Sequence, residues 1–207
     1  MDLMSIVWIF VITLAAYIIG SFPTGYLLVK LTKGTDIREV GSGGIGATNV
    51  KRVLGKKGFF LVMFLDAMKG FLPVLLAQYL EVKFNLYPSL HILPVLVAFA
   101  LVIGHSKSIF LGFVGGKSVA TGGGAILAMN YPAALIGLVI WSVICYTSKY
   151  ISLGSIAGMF LIPFLMYFAK APLSYVIFCA ITAIYVIFLH RENIKRLFNG
   201  TENKVRQ

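Results

Sequence analysis

The sequence predicts an all-α membrane protein, a polytopic bundle of seven transmembrane helices, and three observations carry that expectation. Of 207 residues, 59% are hydrophobic and 12% charged, with a mean hydropathy of +0.92, which is not the balance of a soluble domain. Apolar runs of spanning or near-spanning length recur at about 4–30, 59–80, 91–104, 132–147, 153–169 and 172–189, with a shorter glycine-rich run at 118–131. The 18 Lys and Arg residues, against 7 Asp and Glu, gather in the gaps between the runs.

The first run carries Asp2 in place of a basic n-region and has no small-residue cleavage site, so it is expected to stay as a helix. Orientation follows from the loops. The gap from Lys30 to Gly58 holds Lys30, Lys33, Arg38, Lys51, Arg52, Lys56 and Lys57, which places it in the cytoplasm and the N-terminus outside. The tail, with Arg191, Lys195, Arg196, Lys204 and Arg206, belongs inside by the same rule. An outside start and an inside end need an odd number of crossings, so 118–131 counts as a short crossing, its glycines and Thr121 suited to close helix packing. Seven crossings leave only Lys83 and Lys170 outside, with Lys69 inside a span, and they put every sizeable polar loop on the inner face. A formal net charge of +11 arranged this way speaks for membrane lipids and anionic substrates, not nucleic acid. Cys145 and Cys179 lie in separate apolar segments and are expected to pack, with no disulfide, metal or redox role.

Two loops carry motifs. Gly41-Ser42-Gly43-Gly44-Ile45-Gly46-Ala47-Thr48-Asn49 satisfies G-x-G-x-x-G in form, with Asp66 at the distance a dinucleotide fingerprint would want. No strand precedes it and Asp66 lies inside an apolar span, which excludes that reading. What survives is a glycine-rich loop able to turn backbone N–H groups toward an anion, with Ser42 and Thr48 adding hydroxyls and Arg52 closing the cradle. The second loop ends Leu111-Gly112-Phe113-Val114-Gly115-Gly116-Lys117-Ser118, a Walker loop with leucine where the first glycine belongs. Gly-Gly-Lys entering a helix still makes an anion site, because helix-end N–H groups and the lysine charge act together.

The histidines and paired polar residues come next. His105, His190 and His91 sit at expected helix ends, where interfacial anchoring is the plain reading. His190 and Asn193 are three apart, on one face of a continuing helix; Ser152 and Ser155 share that spacing, between helix packing and ligand contact. Asp66 and Lys69, also three apart inside a span, are expected to pair with each other. No H-x-x-x-x-D dyad, G-x-S-x-G elbow or zinc-type Cys/His spacing occurs. The chain offers anion cradles without an evident protein nucleophile.

Taken together, GSFPTGYLLVK (20–30), DIREVGSGGIGATNVKRVLG (36–55), LDAMKGFLPV (65–74), GH with FLGFVGGKSVATG (104–122), SLGS (152–155) and HRENIKRLFNGTEN (190–203) resemble the bacterial acyl-phosphate:glycerol-3-phosphate acyltransferases. The resemblance implies seven helices, an outside N-terminus, and a single membrane-embedded acyltransferase domain over residues 1–207 in the bacterial cytoplasmic (inner) membrane. It implies transfer of an acyl group from acyl phosphate to the sn-1 hydroxyl of glycerol 3-phosphate, without cofactor or metal, with an acyl-phosphate-producing enzyme as partner. Residue by residue, Ser42, Gly43, Gly44, Gly46, Thr48, Asn49 and Arg52 match the first motif, and Gly115, Gly116, Lys117 and Thr121 the second. Ser155 precedes the third, which holds His190 and Asn193. Lys117, His190 and Asn193 are thereby implied as catalytic and the others as substrate-binding.

The chain departs from the family pattern at Gly44 (usually asparagine), Ser118 (usually glycine), Ser106-Lys107 (usually Phe-Pro) and Val114 (a basic residue nearby). Gly44 removes an amide able to hold phosphate, and Ser118 adds bulk to the lysine turn. The competing reading is a transporter or flippase for an anionic solute, which would need polar groups continuing to the outer face. A non-catalytic anchor for anionic lipids accounts for the charge but not the glycine loops.

Overall fold

In a computed structural model, residues 3–87 and 89–204 are described, and Asp2 and Arg206 lie outside them. All regular structure among the described residues is helical. The chain divides into two compact units, residues 1–128 and 129–207.

The first unit begins with α1 (Leu3–Ser21), which breaks at Phe22-Pro23 before α2 (Thr24–Lys33). Proline lacks the N–H that would continue the ladder, so the expected single run 4–30 is two helices. Gly34, left-handed at φ 68°, closes α2. The polar gap 31–58 is more ordered than its composition suggests. A 3-10 turn occupies Ile37–Glu39, and α3 (Ala47–Lys83) starts well inside the gap. Gly55 (φ 70°, ψ −162°) interrupts α3, and that conformation divides an otherwise 37-residue helix into a short loop-side piece and a spanning piece. After α4 (Ile92–Ser106) and a 3-10 turn at Ile109–Leu111 comes α5 (Val119–Met129). α4 packs against α1 and α3. α5 comes so close to α3 that a Cβ at Gly70 would run into the Thr121 carbonyl, and one at Gly124 into that of Ala67. This is the small-residue packing that lets a short apolar helix lodge against a neighbour's backbone.

The second unit holds α6 (Tyr131–Ser148), α7 (Ile151–Phe168), α8 (Leu173–Leu189) and α9 (Arg191–Phe198). The Asn130 side chain caps α6 by accepting the Ala133 N–H at 3.0 Å. α7 packs on both α6 and α8. α8 and α9 meet at an angle of 59° at His190, so the helix expected to continue through His190-Asn193 bends there instead.

Among the described residues, five helical stretches are long and apolar enough to cross a membrane: Leu3–Lys33, Ala47–Lys83, Ile92–Leu111, Tyr131–Ser148 and Ile151–Phe168. Counting the bent α8–α9 pair as one span makes six. α5, at 11 residues, is shorter than a crossing helix.

Candidate active site

The first loop is built around Asn49, which is buried at the start of α3. Its amide donates to the carbonyls of Ile37, Val40 and Gly44 at 3.1, 2.9 and 2.8 Å, and its Oδ1 accepts the Ser42 N–H at 3.1 Å. One side chain therefore sets the shape of the whole turn. Gly41 and Gly43 take left-handed φ of 63° and 69°, which only glycine adopts without cost. The Arg52 guanidinium lies against Gly41, with Nη1 3.4 Å from Asn49 Oδ1. Below the turn, Asp36 caps the 3-10 helix and holds Arg38 through both carboxylate oxygens. That hydrogen bonding keeps the Asp36 carboxyl below its ordinary range. Ser42 and Thr48 are exposed. The Ser42 N–H is committed to Asn49 and the Gly43 N–H to Val40 O at 3.1 Å, which leaves Gly44, Ile45 and Gly46 as the stretch able to face an anion.

The second loop touches the first through a shared apolar cluster, in which Ile37 and Ile45 of one pack with Leu111 of the other around Val29, Val50 and Val62. Burial of that cluster fixes the two loops to one another. Gly115 and Gly116 lie on the end of α4, where Gly116 donates its N–H to the His105 carbonyl at 3.0 Å. Lys117 is half-buried. Ser118, where the family usually has glycine, takes a left-handed φ of 61°; about 1–2 kcal/mol of backbone strain is offset by its buried hydroxyl donating to Val102 O at 2.7 Å. At the other departure, a side chain on Gly44 would meet only Ser42 Oγ, at 3.7 Å, so space does not forbid the missing asparagine. Ser106 donates to the Val102 and Ile103 carbonyls, and the Lys107 carbonyl accepts Tyr17 OH at 2.8 Å. Thr121 is fully buried, and its hydroxyl has no hydrogen-bond partner among the described residues.

In the second unit the polar residues converge on Glu202. Its Oε1 accepts Asn193 Nδ2 at 2.7 Å and the Ser152 hydroxyl at 2.8 Å, and its Oε2 accepts Arg196 Nε at 2.7 Å. Burial alone would raise the Glu202 pKa; the hydrogen bonds from Asn193, Arg196 and Ser152 outweigh it and bring the carboxyl below its ordinary value. His190 is buried at the α8–α9 bend, with Nδ1 2.7 Å from the Val186 carbonyl. A carbonyl only accepts, so Nδ1 carries the hydrogen and Nε2 is the basic nitrogen of the neutral ring. The Ser155 hydroxyl donates to Ile151 O at 2.9 Å and accepts Trp141 Nε1 at 3.3 Å.

The residues singled out from sequence thus fall into three groups. Those of the first motif surround one turn, those of the second sit on the end of α4, and His190, Asn193, Ser152 and Ser155 lie in the second unit, with Ser155 bonded to Ile151 and Trp141. Lys69 Nζ does pair with Asp66 Oδ1 at 2.8 Å, as the spacing suggested. Glu202 was missed; its signal was an acid placed between the tail's basic residues Arg196 and Lys204.

Two glycine turns, one beside Arg52 and the other running into Lys117, in a helical multi-pass membrane chain are the arrangement a membrane enzyme of anionic substrates would use. A family model described as glycerol-3-phosphate acyltransferase matches residues 10–200. The chain is 47% identical over 206 residues to the glycerol-3-phosphate acyltransferase of Nostoc sp., covering 95% of this chain and 91% of that one. With the Acholeplasma laidlawii enzyme of the same name it shares 36% over 223 residues, 99% of this chain and 96% of the other. Its fold is similar to the crystal structure of PlsY (YgiH), an integral membrane glycerol 3-phosphate acyltransferase. The glycerol 3-phosphate form gives a TM-score of 0.88 at 37% identity, over 96% of both chains. The lysophosphatidic acid form gives 0.85 at 36%, over 96% and 95%. The chain belongs to the glycerol-3-phosphate acyltransferase family, and it is a multi-pass membrane acyltransferase; the transporter and lipid-anchor readings end there.

Proposed function

We propose that the chain transfers an acyl group from acyl phosphate to the sn-1 hydroxyl of glycerol 3-phosphate, releasing 1-acylglycerol 3-phosphate and phosphate at the cytoplasmic face of the bacterial inner membrane. The observation that carries this reading is the Asn49-organised glycine turn sharing one apolar core with the loop that bears Gly116 and Lys117. Acyl phosphate is a mixed anhydride with a good leaving group, so holding two anions and aligning a hydroxyl with the carbonyl is most of the work. The Gly44–Gly46 amides and Thr48 hold the donor phosphate, with Asn49 keeping the turn in shape. Arg52 and Lys117 hold the phosphate of glycerol 3-phosphate, and His190 and Asn193 are the catalytic residues that the family resemblance implies. The glycerol oxygen attacks the acyl carbon, the C–O bond to phosphate breaks, and the proton passes to a substrate phosphate oxygen. Both units serve one acyltransferase domain, and an acyl-phosphate-producing enzyme supplies the donor.

Purified protein given acyl phosphate and labelled glycerol 3-phosphate should form lysophosphatidic acid, whereas acyl-CoA and acyl carrier protein should not replace the donor. Comparable turnover with acyl-CoA alone would contradict the reading.

Topology is part of the same proposal: seven crossings with α5 as the short one, the N-terminus outside and the tail inside. Its support is the charge distribution, which leaves Lys83 and Lys170 as the outer basic residues of 18. In a variant lacking Cys145 and Cys179, cysteines placed at Lys57 and Asn203 should react with an impermeant reagent only after the inner face is opened. Labelling at Asn203 in intact cells counts against seven crossings.

A further inference from the structure

Asp66, Lys69 and His105 form a buried cluster of titratable side chains that no step of the transfer uses. Asp66 is 2% and His105 4% exposed, and both lie in helices long and apolar enough to span a membrane. Ionisable groups there are costly to keep. Lys69 Nζ lies 2.8 Å from Asp66 Oδ1 and donates to the Phe22 carbonyl at 3.0 Å, so the carboxylate charge is already balanced by the lysine. His105 Nδ1 stands 3.8 Å from the same Oδ1. Charge balance does not require the imidazole.

Its other edge shows what it does. A Cβ on Gly116 would run into His105 Nε2, and one on Gly115 into the His105 carbonyl. Neither glycine has a positive φ, so space, not backbone conformation, demands glycine at both. Gly116 also gives its N–H to the His105 carbonyl. Two residues later, Ser118 Oγ donates to Val102 O, about one turn earlier on the same helix. Lys117 is therefore bracketed by two attachments to the end of α4, one on each side.

We propose that His105 is a positioning residue for the second anion loop: its ring props Gly116 and so sets where Lys117 meets the phosphate of glycerol 3-phosphate. The inference rests on Lys117 binding that phosphate. A misplacement of about 1 Å is enough to cost a site up to about a hundredfold.

The test compares His105→Ala, Gly116→Ala, their combination and Lys117→Ala, each as purified full-length protein, by KM for both substrates, kcat and thermal midpoint. His105→Ala should raise KM for glycerol 3-phosphate about tenfold with kcat, the thermal midpoint and KM for acyl phosphate little changed. Gly116→Ala should raise the same KM, because its methyl meets the ring. The combined variant should be no worse than the poorer single one, because removing the ring makes room for the methyl. If His105→Ala does not purify, His105→Gln keeps most of the volume without the flat ring and should show the same KM effect. An unchanged KM in the His105 variants while Lys117→Ala raises it overturns the positioning role and leaves the Lys117 reading standing. An unchanged KM in Lys117→Ala removes that reading and this inference together. A His105 variant that lowers the thermal midpoint and shifts both KM values alike, or His105 and Gly116 effects that multiply in the combination, also overturns the proposal.

Discussion

Replacing Glu202 by alanine is expected to abolish most activity and lower the thermal midpoint, although this side chain is assigned no contact with substrate. Its carboxylate collects Ser152, Asn193 and Arg196 at 2.7–2.8 Å and is 6% exposed. Its removal takes the carboxylate partner from Arg196, Asn193 and Ser152 at once. Because the Arg196 side chain stays 35% exposed, breaking this pair should cost less than the roughly 3–5 kcal/mol of a deeply buried one. Glu202→Gln should fall between, keeping an acceptor for Asn193 and Ser152 but losing the charge opposite Arg196. Ser152→Ala should cost least, since two donors remain. The pH dependence follows from the lowered pKa of Glu202. Its stabilisation is complete above the ordinary carboxylate range and is lost as pH falls through the lowered folded-state value. The gap in thermal midpoint between wild type and Glu202→Gln should therefore be constant near neutrality and close on the acid side. A gap that widens on acidification would reverse the assigned sign.

Lys117→Ala should lose about ten- to a hundredfold in kcat/KM for glycerol 3-phosphate, matching a charge-assisted interaction of roughly 1.5–3 kcal/mol. Two roles for this lysine make opposite predictions. If it serves only to keep its loop on one side of the membrane, arginine or a relocated lysine preserves activity, because that rule counts charge and ignores position. If it contacts phosphate in the turn pinned by Gly116 and Ser118, Lys117→Arg is impaired too, since a planar guanidinium does not replace a compact ammonium where space is short. Wild-type kinetics for Lys117→Ala, in protein that inserts and purifies normally, would remove the residue from the site.

The parts legible in sequence were those written as a pattern over many residues. The apolar runs located the helices, including the short α5, and spacing alone paired Asp66 with Lys69. What stayed hidden depends on single side chains reaching far along the chain. Asn49 reads as one more polar residue in a glycine loop, yet it binds carbonyls five, nine and twelve positions away, and no periodicity announces such contacts. His105 looked like an interfacial anchor because its partner, Gly116, is a residue without a side chain. Glu202 was overlooked when the tail was read for its net charge, which averages away single acids. The first helical turns of α3 were taken for loop because the glycines before Ala47 and at Gly55 flank them.

Helix length carries one last consequence. α1, α6 and α7 have 19, 18 and 18 residues, which at about 1.5 Å per residue makes each roughly 27–29 Å long. Such helices match a hydrocarbon slab slightly thinner than the ~30 Å average, and each ångström of mismatch costs a fraction of a kcal/mol in tilt or local thinning. The acyl chains committed to glycerol lipids set the thickness of that slab. An enzyme at the first acylation step is thus solvated by a medium whose dimensions depend on its own products, and its helices fix the thickness at which that medium fits it without strain.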